Sequence, residues 1–417
     1  MRDALEQAID DDPDDRHAYA VYADWLTERG DPRGELIDVQ LALEDAPDRP
    51  DLLAREAALL EAHGDTWLGP LAPLLRDNAP TYPAEGHGGE VPNYTFSFRR
   101  GFLHDLAMER LFVPMARALR DWPDTRRLRH LAIGAIETAD HPFEPGDDVP
   151  DGPQFVSVYP LLDADLSGLR RFRLGDVPDF DVYLHDPYGP DCHTYCEPLP
   201  QLVARMPRVE ALELFAKQYD LGALFALPLH HLRSLSIAHF GVSGSIWSGR
   251  PDSRPYAWPL DVLASNPALA GLTELRFHPH HQEWHWEHST EERKASFLPL
   301  DQVRHLLVSP HLLALQRLQL RLSDLGDAGV RAIADAGLLS RLLELDLRHG
   351  CITDAGAEIL ARHPDIARLE RLDLGGNALS DAGVARIEAL GDFATAEAQL
   401  SPDEIAEQSY LYRGDTE

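Results

Sequence analysis

The sequence predicts an α/β chain: a solenoid with short parallel strands on one face and helices or irregular segments on the other, preceded by a small all-α domain. Two observations carry this. The pattern L-x-x-L-x-L recurs eight times between residues 128 and 374, and the first 66 residues instead space their apolar side chains three and four apart. Alternation with a period of two marks a strand buried on one side, whereas three-and-four spacing marks one face of a helix.

In the first segment, residues 1–66, 19 acidic and 6 basic side chains leave a local net charge of −13. Leu5 and Ile9, then Ala18, Val21, Tyr22, Trp25 and Leu26, each fall on one helical face. Asp14 reads as the N-cap of the second helix and Gly30, followed by Asp31-Pro32, as its stop. Leu36, Ile37, Gln40, Leu41 and Leu43 predict a third helix, and Leu52, Leu53, Ala57 and Leu60 a fourth. Residues 67–93, rich in Pro and Gly, read as a linker. The array is expected over 94–399 and a tail over 400–417, with a short helix or strand at Ile405–Tyr412.

The strand pattern appears at Leu128/Leu131/Ile133, Leu169/Phe172/Leu174, Val209/Leu212/Leu214, Leu232/Leu235/Ile237, Leu272/Leu275/Phe277, Leu315/Leu318/Leu320, Leu342/Leu345/Leu347 and Leu369/Leu372/Leu374. The last three copies lie 27 residues apart and share Asp327-Ala-Gly, Asp354-Ala-Gly and Asp381-Ala-Gly at the same period. Each aspartate is expected to cap the helix on the outer face, accepting a bond from an N–H that the helix leaves unpaired. Asn377 is expected to bond backbone groups inside its turn. Ser323 and Gly350 stand in its place in the two preceding repeats, where looser turns are expected.

Two resemblances follow. The run Tyr22-Ala-Asp-Trp-Leu-Thr-Glu-Arg-Gly-Asp-Pro-Arg-Gly-Glu-Leu-Ile37, with Asp3-Ala-Leu-Glu before it and Gln40-Leu41 after it, resembles the bacterial repeat-companion domain. That family typically precedes repeat arrays and implies no catalytic residue. The 27-residue strand–helix repeats resemble leucine-rich repeats of the ribonuclease-inhibitor-like class, strongly over about 85 residues and more weakly over about 190 more, where the spacings are irregular. Phe98-Arg-Arg-Gly-Phe102-Leu-His-Asp-Leu106 is similar to the strand that opens such arrays.

The net charge of −32 disfavours nucleic acid and anionic membrane as partners, because a negative field repels both. No apolar run reaches the roughly 18–20 residues of a membrane span, and the acidic, polar N-terminus is unlike a secretory signal. Cys192, Cys196 and Cys351 do not make a disulfide framework. A reduced, cytoplasmic protein is expected.

Function is expected on the strand positions between the leucines. Seven arginines stand there against five acids, in a chain of 70 acidic and 38 basic residues. Arg171, Arg173, Phe215, Arg276, His278, Arg321 and Arg348 are the candidate partner-binding residues, since arginine gives planar bidentate contacts to carboxylates. Glu274, Arg317, Glu344 and Arg371 alternate in sign and could instead pair across strands. Trp247, Trp284 and Trp286, with Trp258 nearby, are second candidates, as anchors in insertion loops. Cys192-His193-Thr-Tyr-Cys196 lacks the second ligand pair of a zinc site. His278, His280, His281, His285 and His288, with Glu283 and Glu287, form a histidine-rich stretch. No phosphate-binding loop, nucleophile elbow or H-E-x-x-H is present. The expectation is a non-catalytic scaffold that binds another protein, with no cofactor, no metal and no catalytic residue. Two alternatives stand beside it: a regulatory or substrate component of a bacterial signalling or defence complex, and a metal-dependent enzyme near Cys192 or His278–His288.

Overall fold

The structure, a computed structural model, describes residues 1–76, 94–135, 158–175, 194, 196–216, 219–239, 258–278, 298–401 and 403–404. It divides into two compact units, Met1–Arg173 with Arg205–Arg208 and Leu174–Ala204 with Val209–Glu417.

The first unit opens with α1 (Arg2–Asp11), α2 (Arg16–Thr27), α3 (Pro32–Asp45), α4 (Pro50–Leu68) and α5 (Ala72–Arg76). Asp15, one residue beyond the expected cap, accepts a bond from the His17 N–H at 2.9 Å. Asp31 does the same for α3 through Arg33, with Pro32 at the first helical position. The start of the expected linker is helical: Trp67, Leu68, Leu71 and Leu75 are buried and hold the chain in order through Arg76. Residues 77–93 lie outside the described residues.

An antiparallel hairpin follows, β1 (Tyr94–Arg99) and β2 (Phe102–Arg110). Its two-residue turn has φ of +49° at Arg100 and +79° at Gly101, the paired left-handed conformation that matches the twist of a hairpin. A Cβ on Gly101 would lie 2.5 Å from Ile37 Cγ1, so the tip fits against α3 only without a side chain. β3 (His130–Ala135) runs parallel to β2, and β4 (Arg171–Leu174) follows β3 in the sheet.

Helices and hairpin share their apolar core. Phe102 packs with Ile9, Tyr19, Tyr22, Leu26, Ile37 and Leu41, while Phe98 packs against Leu36, Val39, Leu59 and Trp67. Polar clamps reinforce this. The buried Gln40 amide accepts from the Gly101 N–H (2.7 Å) and donates to the Phe98 carbonyl (3.0 Å) and Glu56 (2.7 Å). Arg100 grips both carboxylate oxygens of Glu44, at 2.8 and 3.0 Å. The buried Arg127 reaches Glu6 (3.0 Å), Asp10 (3.1 Å) and Asp124 (2.7 Å).

The second unit carries β5 (Ala211–Ala216), β6 (Ser234–His239), β7 (Glu274–Phe277), β8 (Arg317–Leu320), β9 (Glu344–Asp346), β10 (Arg371–Asp373) and β11 (Ala394–Thr395), each parallel to the next. Leu212, Leu235, Leu275, Leu318, Leu345 and Leu372 align in register and are buried. Helices such as Leu300–Leu307, Gly326–Asp335, Asp354–Ala361 and Asp381–Glu388 connect successive strands. β11 continues the series beyond the eight expected copies, with Ala394 opposite Leu372.

Asn377 occupies the expected place inside its turn. Its Oδ1 accepts from the N–H groups of Gly350 (2.9 Å) and Ile352 (3.0 Å), and its Nδ2 donates to the carbonyls of Leu347 and Leu374, both at 3.0 Å. It therefore also ties down the preceding turn, where Gly350 has no side chain to do so. Gln399 repeats the device, donating to the Leu374 carbonyl (2.8 Å) and accepting from the Leu379 N–H (3.0 Å). The aspartate expectation needs correction. Asp327 and Asp354 cap the helix of the following repeat rather than their own; Thr353 and Ser380 cap those helices locally.

Candidate interaction surface

Because the leucines of β5–β10 turn inward, the residues between them occupy the other face of the sheet. Among them Arg276 and Arg371 are exposed, while Glu213, Ser236, Glu274, Arg317, Gln319 and Glu344 are half-buried. The alternating charges are partly used up. Arg317 Nε lies 2.8 Å from Glu344 Oε1, and that hydrogen bond, partly opposed by burial, holds the guanidinium pKa up. Glu274 pairs instead with Arg276, on its own strand.

Four candidates from the sequence are not surface groups. Phe215, His278, Arg321 and Arg348 are 1, 5, 4 and 4% exposed. The reason differs by residue. Phe215 is apolar and sits in register with the buried Ala238. The His278 N–H closes the sheet on the Ile237 carbonyl at 3.0 Å. Arg321 donates twice to Asp346 Oδ2, at 2.9 and 2.7 Å. Arg348 Nε lies 2.8 Å from Asp373 Oδ2, and its backbone N–H donates to Asp346 Oδ1 at 3.1 Å. The two arginines and two aspartates thus form a buried chain of alternating charge, a structural use for residues that the sequence offers as contacts.

In the first unit Arg171 is exposed and Arg173 half-buried. Nearby in the same sheet, Asp105 on β2 faces His130 on β3 in register. Asp105 Oδ1 contacts Nδ1 of both His130 and His104, the latter at 3.0 Å, while the Ser97 hydroxyl donates to Oδ2. Burial pushes the His104 imidazole down despite the neighbouring carboxylate. Asp105 is held below its usual range: burial works the other way but is outweighed by the Ser97 bond and the two imidazoles. The sequence offers none of the three as a site residue and places His104 and Asp105 only in the run similar to an opening strand. Leu103/Leu106/Met108, with methionine in place of the third leucine, is the signal that would have brought Asp105 into the same column as His130.

Of the tryptophans, Trp258 is buried with its ring 5.0 Å from that of Phe277, so it fills core rather than a binding loop. Trp247, Trp284 and Trp286 lie outside the described residues, as do Cys192, His193 and the stretch from His280 to His288. Cys196 is buried, and burial pushes its thiol far up. That opposes the thiolate a metal would need. Among the described residues, no helix is long and apolar enough to cross a membrane.

A family model described as Leucine Rich repeat matches residues 311–334, 340–361 and 369–387. No curated protein matches the chain. Among solved structures, a Bacteroides fragilis protein is similar at 15% identity and a TM-score of 0.42, covering 68% of each chain. A Listeria monocytogenes internalin is similar at 13% identity and a TM-score of 0.23, covering 70% of this chain and 86% of its own. With the repeats matched and the leucines of successive parallel strands in register, the fold is an α/β leucine-rich-repeat solenoid with an all-helical N-terminal region.

Proposed function

We propose that the protein is a non-catalytic scaffold that binds another protein through the solvent side of its parallel strands. The observation that carries this is the division along β5–β10. The leucines are buried in register, and the positions between them hold Glu213, Ser236, Arg276, Gln319 and Arg371 at fixed strand spacing. A stiff row of polar side chains offers a partner many contacts at little ordering cost. The exposed arginines suit carboxylate-bearing partners.

The N-terminal helices fit the reading as a repeat-companion domain, and the array fits the ribonuclease-inhibitor-like class. Tyr22, Leu36, Ile37 and Gln40, from or beside the run that carries the first resemblance, all hold the opening hairpin. A companion domain of this kind would seed the array rather than act on a substrate.

Charge reversal tests the proposal. Arg171→Glu and Arg276→Glu, made separately, should keep the circular-dichroism spectrum and melting temperature while weakening capture of the native partner. Capture should also weaken with salt, since exposed charges are screened over about 8–10 Å at ordinary ionic strength. Undiminished capture by both variants would move the contact away from this face, towards the segments carrying Trp247, Trp284 and Trp286.

A further inference from the structure

We propose that His104, Asp105 and His130 form a binding site for one divalent transition-metal ion, of the zinc or cobalt type. The argument starts from the backbone. Successive residues of a regular strand point to opposite faces, so His104 and Asp105 would not ordinarily share a site. The register of the opening hairpin breaks here: Ser97 pairs with Asp105, but Phe98 pairs with Leu103. His104 is the extra residue of a β-bulge. Bulges re-aim side chains, and this one brings the His104 ring back beside the Asp105 carboxylate.

The third group comes from the neighbouring strand, where His130 is the parallel register partner of Asp105. The rings of His104 and His130 meet edge to face with centroids 5.0 Å apart. One ligand atom from each of the three residues lies within 4.8 Å of the others. A metal held tetrahedrally at about 2.0–2.2 Å by nitrogen and oxygen ligands spaces neighbouring ligands about 3.3–3.6 Å apart. The His104–Asp105 separation of 3.0 Å is within a few tenths of an ångström of that.

The donor set selects the metal class. Two imidazoles and one carboxylate suit zinc, cobalt and iron(II), whereas calcium and magnesium take oxygen ligands. Ser97 supplies the outer support, its hydroxyl fixing the carboxylate oxygen turned away from the imidazoles. Three protein ligands leave coordination positions open. The side chains of Asp105 and His130 are 41 and 39% exposed, so these positions face solvent. Water, or a carboxylate of a bound partner, would complete the shell. This proposal stands independently of the scaffold reading.

The test uses the full chain, stripped with EDTA and titrated with Co2+ alone, followed by visible absorption and by equilibrium dialysis. The wild type should take up one equivalent with the absorption of bound cobalt, displaced by Zn2+. His130→Gln should lose that equivalent. A variant with His280, His281, His285 and His288 all changed to Gln should keep it, which separates this site from the histidine-rich stretch. Ser97→Ala leaves all three ligands in place and should weaken binding about 10–100-fold. Should His130→Gln lower the melting temperature in EDTA, the Ser97→Ala affinity decides. Absence of Co2+ binding by the wild type, equal uptake by a folded His130→Gln, or unchanged affinity in Ser97→Ala would each overturn the site.

Discussion

The Asp327 carboxylate reaches across a repeat boundary to Thr353: Oδ1 accepts from its backbone N–H at 2.9 Å, and Oδ2 from its hydroxyl at 2.7 Å. Oδ1 also takes the Gly356 N–H at 2.9 Å. Asp354 stands in the same relation to Ser380, at 2.9 and 2.6 Å. This explains two of the three fixed letters of the Asp-Ala-Gly motif. The aspartate serves the next helix, and the glycine makes room for the previous aspartate: a Cβ on Gly356 would lie 2.6 Å from Asp327 Oδ1.

Asp327→Ala and Asp354→Ala should each destabilise the protein by about 0.5–2 kcal/mol, the usual cost of a lost helix cap. The Asp381 carboxylate caps no following helix among the described residues, so Asp381→Ala should stay within about 0.5 kcal/mol. Urea melts followed by circular dichroism compare the three. Equal losses would mean that the aspartates act on their own helices.

Arg348→Ala should be as damaging as a core truncation. Removing one member of a buried charge chain strands the others, at about 3–5 kcal/mol. Leu345→Ala, which empties a fully buried position, should cost about 2–5 kcal/mol. If Arg348→Ala melts like the wild type while Leu345→Ala does not, the charges of Asp346 and Asp373 are relieved by other means.

Acid should loosen the first unit through Glu6. Burial tends to raise this carboxyl, but hydrogen bonds from Arg2, Arg127 and Tyr22 outweigh it and hold the pKa at about 2, against an ordinary 4.5. The folded-state value is the lower one. The linked stability, about 2–3 kcal/mol, is therefore complete above pH about 4.5 and disappears as pH falls through about 2. Glu6→Gln should be less stable at neutral pH and lose less on acidification. A melting temperature that falls equally with pH in both proteins would rule out this assignment.

Gln40→Ala should cost at least about 1–3 kcal/mol, because the buried Gly101 N–H loses its acceptor. Gln40→Glu retains an acceptor for Gly101 but cannot donate to the Phe98 carbonyl, and sets a carboxylate beside Glu56. It should be worse than alanine at neutral pH and recover in mild acid. Thermal melts of both variants at pH 5 and pH 7 check this.

The architecture was legible because leucine alternation and helical spacing are repeated many times, so each copy supports the others. β11 escaped notice because Ala394 and Ala396 stand where earlier copies have leucine. The surface was harder to read. Alternation says which side of a strand a residue leaves from, but not what awaits it there. Arg321 and Arg348 leave on the polar side and still end buried, because Asp346 and Asp373 arrive from neighbouring strands to meet them. The His104–Asp105–His130 group was hidden for another reason: a bulge breaks the alternation on which the reading depends.

The two kinds of tie between repeats run in opposite directions along the chain. Asp327 reaches forward to Thr353 and Asp354 to Ser380, each across 26 residues, while Asn377 reaches back to Gly350 across 27. No repeat in this stretch is self-sufficient, yet all are interchangeable in phase. An in-frame duplication of the 27-residue block beginning at Asp354 would carry Asp354, Asn377 and Ser380 together, so each forward and backward bond would find a partner at the same spacing. An insertion one residue longer or shorter would break both sets at once. The array can therefore grow or shrink only in whole modules, and its length is open to change while its phase is not.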